Sequence, residues 1–168
     1  IISTKAVLQA MNREVEDDGA IEIGVDVARL GNDRTELVKR KGWREIGRET
    51  YDKLRVTQVA EKVEIMADFD KTIPIKVDDT GVGGGVTDIL LEKGYNVIPV
   101  NNGSKSSKPD KYPNLISEAW FYMQEIIENI SIINDKELLT ELSTREWKID
   151  SKGKRVVESK EEYKKKGH

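Results

Sequence analysis

The chain has 168 residues, of which 37% are hydrophobic and 35% charged, with no cysteine and one histidine, His168, at the last position. That length predicts one domain around one core, and the missing cysteines exclude disulfides, thiolate metal sites and a cysteine nucleophile. The lone terminal histidine also excludes a Ser-His-Asp triad, so chemistry must run on carboxylates, hydroxyls and lysines.

Lys and Arg number 28 against 31 Asp and Glu, a net charge of −3. A polyanionic partner would therefore have to meet a local basic patch rather than bulk positive charge. No apolar run approaches the roughly 20 residues that span a bilayer, and no secretory signal pattern opens the chain. The expectation is a soluble, intracellular protein with no membrane partner.

In chain order, Ala6, Val7, Ala10 and Met11 predict a helix over 4–16, with Ser3 or Thr4 as its cap. Ile21, Ile23 and Val25 alternate with Glu22, Gly24 and Asp26, which predicts a half-buried strand over 20–27 with Asp26 near its end. After the turn cluster Gly31-Asn32-Asp33, two strands over 35–40 and 43–50 flank Lys41-Gly42 as a hairpin. Val56, Val59, Ala60, Val63, Met66 and Phe69 predict a helix over 54–69. A strand over 72–78, a helix over 84–93 and a strand over 95–100 then fit a right-handed parallel crossover.

Residues 101–113 predict a flexible loop too polar to pack, carrying Lys105, Lys108 and Lys111. Ala119, Trp120, Met123, Ile126, Ile127 and Ile130 mark a helix over 115–130, and a shorter helix is expected over 136–143. A second hairpin is expected from 146–150 and 155–158, around Ser151-Lys152-Gly153. The polar tail from Ser159, with Lys164-Lys165-Lys166, is expected to need no fixed structure.

Three antiparallel strands, a helix and a strand-helix-strand crossover match the order of the ribonuclease H-like α/β fold. The expected architecture is a mixed sheet flanked by helices, with an additional C-terminal β-hairpin. In that order the first and fourth strands are neighbours, so Asp26 and Asp78 could converge at one end of the sheet. Paired carboxylates suit Mg²⁺ or Mn²⁺, and two such ions can activate a water and stabilise the leaving oxygen of a phosphodiester. Acids at strand ends are also common turn residues, and spacing alone leaves both readings open.

Three segments carry a family resemblance. They are Ile23-Gly24-Val25-Asp26-Val27-Ala28-Arg29-Leu30-Gly31-Asn32-Asp33-Arg34-Thr35, then Val77-Asp78-Asp79-Thr80-Gly81-Val82-Gly83, and Tyr112-Pro113-Asn114 entering a helix. In this order they resemble the nuclease domain of tailed-bacteriophage or prophage terminase large subunits, over residues 21–158. The resemblance implies a metal-dependent endodeoxyribonuclease that cuts concatemeric double-stranded DNA during packaging. It implies Asp26 as the first metal acid and Asp78 as the second, with Asp79 as the alternate. The family's third acid lies in a Ser-Pro-Asp-like segment, and no residue of this chain matches it; Glu158, Glu161 or Glu162 could stand in only by proximity.

The resemblance also implies partners and surroundings. These are an upstream ATPase domain of the same full-length protein, the portal, the small terminase subunit, and the cytoplasm of a bacterial host. Residues 1–19 then read as a linker or helix from that upstream domain, 20–158 as the nuclease, and 159–168 as a basic tail cut short. No phosphate loop of the Gly-x-x-x-x-Gly-Lys-Ser/Thr type occurs, so the packaging ATPase is not within these residues.

Arg29, Arg34, Lys105, Lys108, Lys111, Lys152, Lys154 and Arg155 are the candidate DNA-binding cations. Residues 151–168 hold seven basic and three acidic side chains, which makes this end locally positive. Trp43, Trp120 and Trp147 could stack on bases, although Trp120 falls on an apolar helix face. Competing readings are a resolvase- or transposase-like nuclease of the same fold and a non-catalytic packaging or docking module. An actin-like or sugar-kinase ATPase would need two copies of the domain and does not fit the length.

Overall fold

The computed structural model of the protein describes residues 1–28 and 33–168. These divide into two compact units, residues 15–101 and residues 1–14 with 102–168. Each has its own apolar cluster, where the length predicted one core. The difference arises because the N-terminal helix buries its apolar face among C-terminal residues, a long-range pairing with no local signature.

In the 15–101 unit the strands are β1 (Ile21–Asp26), β2 (Arg34–Lys41), β3 (Arg44–Asp52), β4 (Ile75–Asp78) and β5 (Val97–Val100). Their order is β3-β2-β1-β4-β5, so the first strand is central. The β1–β2 and β2–β3 pairs are antiparallel, and β1–β4 and β4–β5 are parallel. Helices α2 (Val56–Met66) and α3 (Gly83–Glu92) supply the two crossovers.

Alternation determines which sheet face is dry. Ile23, Val25, Leu37, Ile75 and Val77 are buried with Val59, Ala60 and Val63 of α2 and Val86 and Leu90 of α3. Residues of opposite parity, including Glu22, Gly24, Asp26 and Lys76, face away from that core.

Several boundaries differ from expectation for local reasons. Lys41 pairs with Arg44, so the hairpin turn is Gly42-Trp43, and Gly42 takes φ +57° there. Trp43 therefore sits in the turn, half exposed, rather than in a strand. Helix α2 stops at Met66 because Asp68 and Phe69 adopt φ of 52° and 58°, which leaves Phe69 64% exposed. Strand β4 begins only at Ile75, since Asp70 accepts both the N–H and the hydroxyl of Thr72 and holds that segment in a turn. The cluster Gly31-Asn32 and the candidate Arg29 lie outside the described residues.

The other unit contains α1 (Thr4–Asn12), α4 (Leu115–Ile126), α5 (Lys136–Thr144), the antiparallel hairpin β6 (Trp147–Ile149) and β7 (Arg155–Val157), and α6 (Lys160–Lys165). Ser3 caps α1 by accepting the Ala6 N–H. Ile2, Val7, Ala10, Ile127 and Ile130 form the cluster, with Trp120 and Met123 packed against it. A second side of α4 is buried as well, whereas Ala119, expected to be apolar-facing, is exposed. Phe121 stacks on Tyr112 at 5.5 Å and meets Trp147 edge-on at 5.3 Å, and Ser117 Oγ accepts the Val157 N–H.

The tail is a correction to the sequence reading. Ser159 and Glu162 form a capping box that starts α6, and Tyr163 is buried with its hydroxyl 2.8 Å from Thr144 Oγ1. Lys166 then reaches back to Glu158 at 2.6 Å and to Glu146. A polar composition did not prevent order because one aromatic and one capping pair anchor the turn.

Candidate functional site

Asp26 and Asp78 close two neighbouring parallel strands, one residue beyond the register pair Val25–Val77. Both therefore fall on the sheet face opposite the apolar core and at the same level along it. Asp26 is exposed and Asp78 half-buried. Gly24 shares this face two residues before Asp26, and a side chain added there would meet nothing within 4 Å. The floor beside the acids is thus open.

The turn after β4 fixes the second acid. Asp78 Oδ1 accepts the Thr80 N–H at 3.0 Å, and α3 begins so close beneath that a Cβ on Gly83 would lie 1.7 Å from the Asp78 carbonyl oxygen. Only glycine permits that approach. Asp79 has the opposite parity and is exposed past the strand end, where its N–H donates to the Val100 carbonyl at 2.9 Å. The register therefore groups Asp78, rather than Asp79, with Asp26.

The Asp33-Arg34-Thr35 string supports the first acid from β2. Thr35 is 2% exposed, and its Oγ1 accepts the N–H of Ala28, two residues beyond Asp26. Arg34, at the first position of β2, is exposed.

Sequence reasoning missed Glu36. It is the direct antiparallel partner of Asp26 and so shares its face. Its carboxylate is turned along the sheet, where Thr50 Oγ1 donates to Oε1 at 2.9 Å and the Arg48 guanidinium lies 3.7 Å from Oε2. Its place beside Asp26 is set by the β1–β2 register, which the sequence reading did not assign. Further along the face, Lys76 and Arg40 both pair with Glu22, at 3.3 and 2.6 Å. Burial alone would raise the Glu22 pKa, and the two cations outweigh it and hold the carboxyl below its usual range.

Among the described residues, no group of three or more acidic, histidine or cysteine side chains is arranged to hold a metal ion. The oxygen donors Asp26 and Asp78 are hard ligands of the type Mg²⁺ and Mn²⁺ accept, and such ions commonly complete their shells with water. The donor chemistry fits these metals, with two protein carboxylates rather than three. Glu158, Glu161 and Glu162 belong to the other unit. There Glu158 pairs with Lys166 and accepts the Glu146 N–H, while Glu162 caps α6.

The candidate cations of that unit are ordered by polar contacts. The 101–113 loop is fastened rather than loose: Ser106 and Tyr112 are buried, and Asn114 caps α4 through the Ser117 N–H. Lys105, Lys108 and Lys111 are exposed along it. Arg155 N–H donates to the Lys111 carbonyl at 2.7 Å, joining the loop to the β6–β7 hairpin that carries Lys152, Lys154 and Arg155. The Arg155 guanidinium lies 5.5 and 5.7 Å from the Phe121 and Trp147 ring centroids, so its aromatic neighbours hold it in place. Trp147 remains 43% exposed, whereas Trp120 packs on the apolar cluster under Arg145.

The strand order, with three antiparallel strands followed by two parallel ones, is that of a ribonuclease H-like α/β fold, here with an added C-terminal hairpin. More particularly, the chain has the fold of phage large-terminase nuclease domains. The nuclease domain of the large terminase subunit gp2 of bacterial virus Sf6, a K428A mutant with manganese and beta-thujaplicinol, matches with a TM-score of 0.84 at 16% identity. That match covers 98% of this chain and 90% of that one. A further structure of the nuclease domain of the Sf6 large terminase subunit gp2 gives 0.80 at 16% identity over the same coverage. The large terminase nuclease from thermophilic phage G20c with bound magnesium gives 0.68 at 17% identity, covering 95% of this chain and 88% of that one. No family model and no curated protein matches the sequence. No helix among the described residues is long and apolar enough to cross a membrane.

Proposed function

We propose that this chain is the nuclease part of a phage or prophage DNA-packaging terminase, a metal-dependent endodeoxyribonuclease acting on concatemeric double-stranded DNA. The observation that carries the reading is the register of β1 against β4, which brings Asp26 and Asp78 to one level of one open sheet face. Mg²⁺ or Mn²⁺, when bound as a pair, supplies an activated water and charge stabilisation at the phosphorus. Asp26 and Asp78 would hold the ions, Thr35 and Gly83 fix the backbone that carries those acids, and no residue forms a covalent bond to DNA.

The loop and hairpin lysines meet the phosphate backbone, which gives binding strength without base readout. An upstream ATPase domain, the portal and the small terminase subunit are the partners this reading implies, in the cytoplasm of a bacterial host. The convergence of only two acids among the described residues favours, as a second reading, a docking module with weak or no catalysis.

Supercoiled plasmid incubated with the protein and Mn²⁺, Mg²⁺ or EDTA distinguishes the two. Nicking that needs metal and falls by at least about 100-fold in both Asp26→Ala and Asp78→Ala is expected, more than an outer-shell partner usually costs. Cleavage indifferent to both substitutions, or no cleavage by folded protein, would overturn the nuclease reading. Preference for branched over linear DNA would instead identify a resolvase-like enzyme.

A further inference from the structure

Glu118 lies in the first turn of α4 and has no place in the metal chemistry, yet it organises the preceding loop. Its Oε2 accepts the Ser106 hydroxyl at 2.6 Å and the Ser107 N–H at 2.8 Å, and its Oε1 accepts the Ser107 hydroxyl. Ser106 is 7% exposed, and its Oγ accepts the Lys108 N–H at 2.9 Å. On the helix side, the Leu115 and Ile116 N–H groups donate back to Ser104 and Asn102. The Lys111 and Tyr112 N–H groups both donate to the Lys108 carbonyl, and the Lys111 carbonyl accepts from Arg155. One carboxylate thus sits at the centre of a bonded loop whose three lysines all point outward.

We propose that Glu118 is a positioning residue for nucleic-acid binding, a latch that holds the 101–113 loop so that Lys105, Lys108 and Lys111 form a preordered cationic surface for a phosphate backbone. This rests on the DNA reading above. The energetic reason is that a loop ordered before binding does not lose that conformational entropy when the polyanion arrives. The serine hydroxyls and the Ser107 N–H also hold the Glu118 carboxyl below the usual carboxylate range, so the latch stays closed at neutral pH.

The latch predicts an effect opposite in sign to simple electrostatics. Removing a negative charge beside three lysines would ordinarily tighten DNA binding, whereas opening the latch weakens it. Glu118→Ala and the charge-neutral Ser106→Ala/Ser107→Ala pair are compared with wild type by anisotropy of a labelled duplex oligonucleotide across a salt series. Hydrogen exchange over the loop and thermal melting are measured on the same proteins.

Both variants are expected to bind about 3- to 10-fold more weakly, with a salt slope smaller by about one. Loop amides should exchange faster while the melting transition stays close to wild type. Wild-type or tighter binding by Glu118→Ala with a folded chain would overturn the latch. The triple variant Lys105→Ala/Lys108→Ala/Lys111→Ala separates the two levels: if it binds as wild type, the loop is not a DNA contact and the latch reading falls with it. If the triple variant weakens binding and the latch variants do not, only the latch falls.

Discussion

The hydroxyl of Thr35 accepts the backbone N–H of Ala28 at 3.1 Å, linking the first buried residue of β2 to the chain just beyond Asp26. Removing that hydroxyl without changing volume leaves the N–H without its partner at the point where β1 leaves the sheet. Thr35→Val is expected to cost about 1 kcal/mol in urea unfolding and to raise the metal concentration needed for half-maximal nicking by about 10-fold. Thr35→Ser should restore both. A Val variant with unaltered metal dependence would show that the bond only stabilises the strand.

Metal binding at the paired acids should register as stability. With Mn²⁺ at about 100 times its dissociation constant, the folded state gains about 2.7 kcal/mol. Calorimetric melting with and without Mn²⁺ is expected to show an upward shift in wild type and none in Asp26→Ala or Asp78→Ala. An equal shift in all three would place the ion elsewhere.

Gly83 and Gly84 are adjacent but differ in what a methyl group would meet. At Gly83 it would collide with the Asp78 carbonyl oxygen at 1.7 Å, which is rigid backbone, while at Gly84 it would lie 3.2 Å from the movable Asp79 carboxylate. Gly83→Ala is expected to lose about 1–3 kcal/mol, the ordinary cost of overpacking, or to misfold. Gly84→Ala should stay within about 0.5 kcal/mol of wild type. Chemical denaturation of the two variants side by side makes the comparison.

Acid sensitivity should concentrate in the 102–168 segment. Burial would raise the pKa of Glu158, but Lys166, the Glu146 N–H and Arg145 outweigh it and hold the carboxyl below its usual range. A lowered folded-state value contributes stability above the unfolded pKa and loses it as pH falls through the folded one. Wild type should therefore weaken below about pH 4. Glu158→Gln should be less stable at pH 7, with a deficit that shrinks as the pH falls. A deficit independent of pH would assign the loss to packing instead.

The hairpin cations supply a further check on the DNA surface. Lys152 and Lys154 N–H groups both donate to Asp150 Oδ1, which closes the turn and leaves Lys152 exposed and Lys154 half-buried. Converting Lys152, Lys154 and Arg155 to Ala is expected to lower the salt slope of duplex binding by about two to three. An unchanged slope would remove the hairpin from the interface.

Much of this was legible in the residues themselves. Alternation of apolar and polar positions around Val25 and Val77 marked both strands and put an acid at the end of each, because side-chain direction in a strand has a period of two. The order of strands and helices was sufficient for the fold class, since crossover handedness leaves few arrangements open. The Thr35 and Gly83 strings were visible as motifs, although their backbone partners were not.

What required the tertiary structure was the pairing of distant residues that no strand order announces. Glu36 became the partner of Asp26 through the antiparallel register of β1 against β2, which local sequence pattern does not fix. Glu118 became the centre of a loop that its composition describes as loose, because a single carboxylate can satisfy donors eleven and twelve residues away. The tail likewise became a helix through Tyr163 and Lys166. Local propensity reads a chain within one turn or one strand, whereas the free energy that orders loops and tails comes from contacts the chain makes only after it has folded back on itself.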